Sequence, residues 1–140
     1  MNDDRRKMLT EYIGECWHES DQTDCVGRQK LNGGTLYQKC KHCNKIMSSS
    51  FERFLYNRTF TTESDMIALY RNLWKAVGMQ SWYRFYDEAM DIYHEIHNPC
   101  ECLTDTGGFT AWLFCLSGSG YDERCQMVYE FLKGEENETN

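Results

Sequence analysis

The chain has 140 residues and a mass of 16.6 kDa, with 41% hydrophobic residues, 26% charged residues and 8 cysteines. That is enough for one folded domain, 1–140, with a core of its own, and it excludes intrinsic disorder. There is one proline and no apolar run of spanning length, which excludes a transmembrane helix; the charged start MNDDRRKMLTEYIGEC carries no export signal, so a cytoplasmic protein is expected.

In chain order, Asp3 to about Tyr12 is predicted to be a short helix with Met8, Tyr12 and Ile13 on one side, stopped by Gly14. From Cys16 to Ser50 the helical period disappears. Asn32-Gly33-Gly34 is a turn signal, Thr35-Leu36-Tyr37 suits a short strand, and Ile46-Met47 suits another. Helical periodicity returns after Thr61-Thr62-Glu63-Ser64-Asp65, a near capping box. Met66, Leu69, Tyr70, Leu73 and Val77 form its apolar stripe and Gly78 its stop. Ser81 is the expected cap of the next helix, whose stripe is Trp82, Phe85, Tyr86, Ala89, Ile92, Tyr93 and Ile96, closed by Pro99. Phe109–Leu116 is apolar but too short to assign by period. Ser119 is the expected cap of a last helix carrying Tyr121, Cys125, Val128, Phe131 and Leu132, ending at Gly134 before a fraying tail. The expected fold class is α+β, mainly helical: a small zinc-stapled β-ribbon near the N-terminus packed on a bundle of about four helices. The zinc-binding lobe spans about 14–50 and the helical part about 61–134.

Eight cysteines without an export signal favour metal binding and buried thiols over disulfides. The sequons at Asn57 and Asn137 are set aside for the same reason. Cys40-Lys41-His42-Cys43 is a C-x-x-C on a tight loop, half of a structural zinc site. Cys16-Trp17-His18 supplies the other half, because residues i and i+2 of an extended chain point the same way. The expected ligands of Zn2+ are therefore Cys16, His18, Cys40 and Cys43, with Cys25 or His42 as alternatives for one of them. Such a closed site is structural, since it keeps no open position for water. His94, His97, Cys100 and Cys102 make a possible second metal site, against the reading that the histidines favour a helix C-terminus and the cysteines pack. Cys115 and Cys125 read as core residues.

Charge is unevenly spread. Val26–Thr59 carries a net +6 and the remainder −13. Arg28, Lys30, Lys39, Lys41 and Lys45 are candidate contacts to nucleic acid or to a partner, although the plainer reading is that the two lobes attract each other or that these are solvated surface charges. The sequence contains no G-x-S-x-G, Walker or G-x-G-x-x-G motif, so no catalytic residue and no enzyme activity is expected. Trp74, Trp82, Tyr83 and Trp112 are read as core packing, or in part as a binding face.

The run Ile13-Gly14-Glu15-Cys16-Trp17-His18-Glu19 is followed by Cys40-x-x-Cys43. Further on come Phe60-Thr61-Thr62 with Asp65 and Leu69, then Trp112-Leu113-Phe114, then Arg124-Cys125 with Val128, Glu130, Phe131 and Leu132. Together these blocks resemble a group of small, mostly uncharacterised proteins of tailed bacteriophages. Cys25 and the Cys100-Glu101-Cys102 stretch depart from the pattern. The resemblance implies a bacteriophage source and a bacterial host cell, and no activity. Joined to the small size, acidic balance and aromatic content, it leads to an expected accessory protein that binds and inhibits a host protein in a defence system, an anti-CRISPR-like inhibitor. The alternatives are a zinc-containing nucleic-acid-binding regulator and a nucleotide-sequestering binder. The partner's identity and the oligomeric state are left open.

Overall fold

Asn2 opens the first helix. Its side-chain oxygen accepts from the Arg5 backbone N–H at 2.9 Å, and Asp3 and Asp4 place negative charge at the positive end of the helix dipole. The helix, α1, runs Asp3–Tyr12. Its inward face is Arg6, Leu9 and Thr10 rather than the expected Met8, Tyr12 and Ile13, which are all half-buried. The computed structural model describes residues 2–19, 28–30, 36–48, 57–97, 106–116, 118 and 120–139. They divide into two compact units, Asn2–Thr59 and Phe60–Asn140.

In the first unit, three short segments, β1 (Arg28–Lys30), β2 (Leu36–Lys39) and β3 (Ile46–Ser48), pair antiparallel in the order β1-β2-β3. Gln29 pairs with Tyr37 and Gln38 with Met47. Strands of three or four residues are too short to form a layer that buries one face of a fold.

The second unit is helical. Thr62 and Asp65 form a reciprocal capping box at the start of α2 (Glu63–Lys75). Asp65 is buried, and its carboxylate accepts from the backbone N–H groups of Thr61 and Thr62 and from the Thr62 hydroxyl. After α2 the chain turns through a 3-10 segment, Val77–Met79, where Gly78 takes φ +67°, a left-handed conformation that suits glycine. Helix α3 is Gln80–His97, α4 is Thr106–Leu113 and α5 is Tyr121–Thr139. Met66, Leu69, Tyr70 and Leu73 of α2 are buried, as are Trp82, Phe85, Ala89 and Tyr93 of α3, Phe109 and Leu113 of α4, and Cys125, Val128 and Phe131 of α5. Tyr70 sits at the centre: its hydroxyl donates to the Leu113 carbonyl at 2.8 Å, and its ring meets Trp82, Phe85 and Phe114 at 5.4–5.5 Å. Such offset and edge-on ring pairs stabilise beyond the area they bury. Arg124 joins α5 to α4, with Nε donating to the Trp112 carbonyl at 3.0 Å and the guanidinium 3.9 Å over the indole.

The expected α+β fold with a β-ribbon on about four helices is therefore corrected. The described architecture is mainly helical, with five α-helices, and no β-ribbon forms a layer of it. The ribbon expectation rests on the turn Asn32-Gly33-Gly34, which lies outside the described residues, and on Thr35-Leu36-Tyr37 and Ile46-Met47, where the paired segments are only three or four residues long. Smaller corrections concern the helix ends. Ser81 lies inside α3, which begins at Gln80, and Ile96 is exposed near the end of that helix. Helix α5 continues through Gly134 to Thr139, because one helical glycine costs only about 1 kcal/mol and Lys133 and Glu136 pair across it at 3.1 Å. Pro99 and Ser119 lie outside the described residues. Among the described residues, no helix is long and apolar enough to cross a membrane.

Candidate metal centre

Cys40 begins a tight turn. The Asn44 backbone N–H donates to the Cys40 carbonyl, and the Cys40 N–H donates to the Lys45 carbonyl, each at 2.9 Å. Asn44 closes the turn with φ +62°, a conformation that asparagine tolerates better than most residues. Folded this way, the turn aims the His42 backbone N–H at the Cys40 sulfur, 3.4 Å away. The partner segment, residues 15–19, follows α1 without regular secondary structure. It is fixed to the turn by the Lys41 N–H, which donates to the Glu19 carbonyl at 2.9 Å.

These two segments bring Cys16, His18, Cys40 and Cys43 together, with one ligand atom of each lying within 4.8 Å of all the others. The Cys16 and Cys40 sulfurs are 3.8 Å apart, and the Cys43 sulfur is 3.5 Å from His18 Nδ1. A disulfide needs ~2.05 Å, so the Cys16–Cys40 spacing is not a bond. A tetrahedral ion with ligand bonds of ~2.3 Å to sulfur and ~2.0 Å to nitrogen needs edges of ~3.8 Å and ~3.5 Å, which these distances match. The site thus has the donor set of a metal centre, and these two separations are compatible with one. Cys40 is buried, Cys16 and His18 are half-buried, and Cys43 is exposed.

The thiols differ electrically. Burial, reinforced by the neighbouring Cys43 and Cys40 thiols, pushes Cys16 up to about 12. Burial also opposes ionisation of Cys40, but the backbone N–H groups of His42 and Cys43 outweigh it and hold this thiol down at about 6. The turn therefore supplies a ready thiolate, as a ligand for a cation requires.

A supporting layer holds the ligands. Asn57 is buried and clamps His18 from both sides: its Oδ1 accepts from the His18 N–H at 2.8 Å, and its Nδ2 donates to the His18 carbonyl at 3.0 Å. Arg6 of α1 in turn donates to the carbonyls of Arg58 at 3.0 Å and Asn57 at 3.5 Å, pairs with Asp3, and lies 5.3 Å from the centre of the buried Trp17 ring. Arg58 grips Glu15 through two hydrogen bonds of 2.8 and 2.7 Å. Beside the site, Glu19 accepts from Lys41 at 2.7 Å, and this pair draws its carboxyl below the usual range. Sequence reasoning missed Asn57, Arg6 and Glu19. Asn57 stood in a sequon set aside as irrelevant, and an arginine in a short helix reads as surface.

The other candidate residues fall differently. His42 takes no ligand place; its ring is exposed, with Nε2 3.8 Å from the Glu19 carboxylate. Cys25, Cys100 and Cys102 lie outside the described residues. His94 and His97 are exposed at the end of α3, where the His97 ring lies 4.4 Å from that of Tyr93. Arg28 and Lys30 fall on β1 and Lys39 ends β2. Lys41 and Lys45 are exposed around the turn, with Lys41 held by Glu19. Cys115 and Cys125 are buried, and burial raises both thiols. No protein-family model matches this chain, and neither a curated protein nor a solved structure shows significant similarity to it.

Proposed function

We propose that this chain is a non-enzymatic binding protein whose N-terminal unit is folded around a structural zinc ion held by Cys16, His18, Cys40 and Cys43. The observation that carries this reading is the convergence of three thiols and one imidazole within 4.8 Å of one another, with the Cys16–Cys40 and Cys43–His18 separations at the edge lengths of a zinc tetrahedron. Zinc suits it because a mixed sulfur and nitrogen donor set in that shape is its common structural site and needs no redox chemistry. Four protein ligands leave no open position for water, which favours a structural ion over a catalytic one.

The resemblance to tailed-bacteriophage proteins supports a role inside a bacterial host, as an accessory factor that binds and inhibits a host protein of a defence system. The net charge of −7 and the half-exposed Trp74 and Tyr83 agree with a protein-binding role. The test has two arms. Elemental analysis of freshly purified protein is expected to give one zinc per chain; no stoichiometric transition metal in folded protein would refute the metal assignment. Tagged protein expressed in bacteria is expected to retain one host protein reproducibly, at near-equal stoichiometry and with loss of that protein's activity. Recovery of the chain alone would refute the inhibitor reading.

A second reading, a nucleic-acid-binding regulator, rests on the exposed Lys41 and Lys45 around the turn. A salt-dependent mobility shift with labelled DNA or RNA, lost in Lys45→Glu, would favour it.

A further inference from the structure

The solvent side of α2 carries one stripe: Ile67, Arg71, Trp74 and Lys75, at i, i+4, i+7 and i+8. Trp74 is 51% exposed and Ile67 38%, a large apolar area for one face of a single helix. The Trp74 indole does not hang free, because it packs edge-on against Trp82 of α3 with ring centres 5.9 Å apart. A fixed, half-exposed tryptophan loses little freedom when a partner covers it, which is the character of an interface anchor.

Charge says which partner. From Phe60 onward the chain has 14 acidic and 5 basic residues, a net of −9. Three of those five cations are ion-paired: Arg84 with Glu135 at 2.7 Å, Arg124 with Glu123 at 3.6 Å, and Lys133 with Glu136 at 3.1 Å. Arg71 and Lys75 alone have no ion-pair partner among the described residues, although acids outnumber bases nearly three to one. Both are exposed and flank Trp74. Two unneutralised cations a helical turn apart, beside an apolar anchor, complement carboxylates at the same spacing on another chain. A polyanion such as nucleic acid would meet the same two cations, but it would also be repelled by the surrounding net negative charge. A short segment with a few carboxylates among apolar residues meets the stripe without that penalty.

We propose that the stripe Ile67, Arg71, Trp74 and Lys75 on α2 is a docking site for an acidic, amphipathic segment of a partner protein. The proposal rests on the reading of the chain as a binding protein and is independent of the metal.

The test is selection from a display library of random 20-residue peptides, panned on the full-length protein. Enriched peptides are expected to combine Leu, Phe or Trp with Asp or Glu one helical turn apart. Their affinity is expected to fall at least about tenfold for Trp74→Ala and for Arg71→Glu, with the metal content of both variants and the melting temperature of Arg71→Glu unchanged. Enrichment of basic peptides, equal binding to the variants, or no enrichment would each overturn the proposal. Peptides that bind equally to the variants would leave the binding-protein reading standing and remove only this surface. Displacement of the peptides by single-stranded dT20, with tighter binding of the oligonucleotide, would assign the face to nucleic acid and overturn the proposal as well.

Discussion

Replacing Asn57 with alanine tests whether the ligand cluster is held by its surroundings or only by its own four side chains. Asn57 is 6% exposed, and both ends of its amide are spent on the backbone of His18, at 2.8 and 3.0 Å. Alanine removes both bonds and adds none. A fully buried orphaned group costs about 1–3 kcal/mol, and His18 is half-buried, so about 1 kcal/mol for each of the two groups is a reasonable magnitude. The sum of about 2 kcal/mol corresponds to a roughly 30-fold loss if it falls entirely on metal binding. That lies within the range of about 10–100-fold found when a group orienting a metal ligand is removed. Zinc affinity is measured by competition with a chromophoric chelator at pH 7, alongside the melting temperature. Asn57→Asp, which keeps the acceptor but loses the donor, is expected to fall between. An Asn57→Ala variant with wild-type zinc affinity and wild-type melting would refute the argument, because His18 would then be positioned by something else.

Cys40→Ser is expected to abolish stoichiometric zinc and to unfold the N-terminal unit, read as loss of amide protection between Glu15 and Lys45; retained metal would refute the ligand assignment. Zinc uptake at pH 7 is expected to displace the proton of Cys16, held at about 12, but none from Cys40, which at about 6 is already largely a thiolate. Affinity therefore rises with pH, and calorimetry in buffers of different ionisation enthalpy counts the protons released; a pH-independent affinity between pH 6 and 8 would contradict it. Phe85→Ala removes a ring that meets Tyr70, Trp82 and Phe131 within 6.0 Å and is expected to cost about 3–5 kcal/mol, seen in denaturant melts of the helical signal. Thr62→Ala breaks the capping box of α2 at a cost of about 1 kcal/mol, with Thr62→Ser restoring most of it.

The legible parts of this sequence were those fixed by short-range rules. The Thr62–Asp65 box, the stripe Met66, Leu69, Tyr70 and Leu73, and the stripe Trp82, Phe85, Ala89 and Tyr93 stand where helical spacing puts them, because burial of a continuous face decides them locally. Cys16, His18, Cys40 and Cys43 were legible for a similar reason: thiols and imidazoles at chelating spacing are few, and their chemistry limits the arrangements. What spacing cannot show is which polar residue goes inside. Arg6 and Asn57 are buried because each finds backbone partners more than thirty residues away, and no window of sequence contains that information. Fold class failed at the same boundary. A turn signal promised a ribbon, but strand length depends on what the strands pack against. Ile96 followed the stripe in period and lies outside the core, because periodicity predicts a direction and not the presence of a neighbour there.

The residues packed around the ligand cluster indicate what a bound ion would add to it. Near the cluster Arg6, Thr10 and Asn57 are buried, each satisfied by hydrogen bonds to backbone. Such bonds fix direction well but contribute only about 1 kcal/mol each once water is counted as the competitor. They decide which way His18 points while adding little energy of their own. Zinc bound by thiolates and imidazole supplies roughly 10–16 kcal/mol in small domains. On the proposed zinc reading, the polar clamp sets the geometry of His18 and the ion adds the stability, so Asn57→Ala would weaken metal binding while Cys40→Ser would remove it.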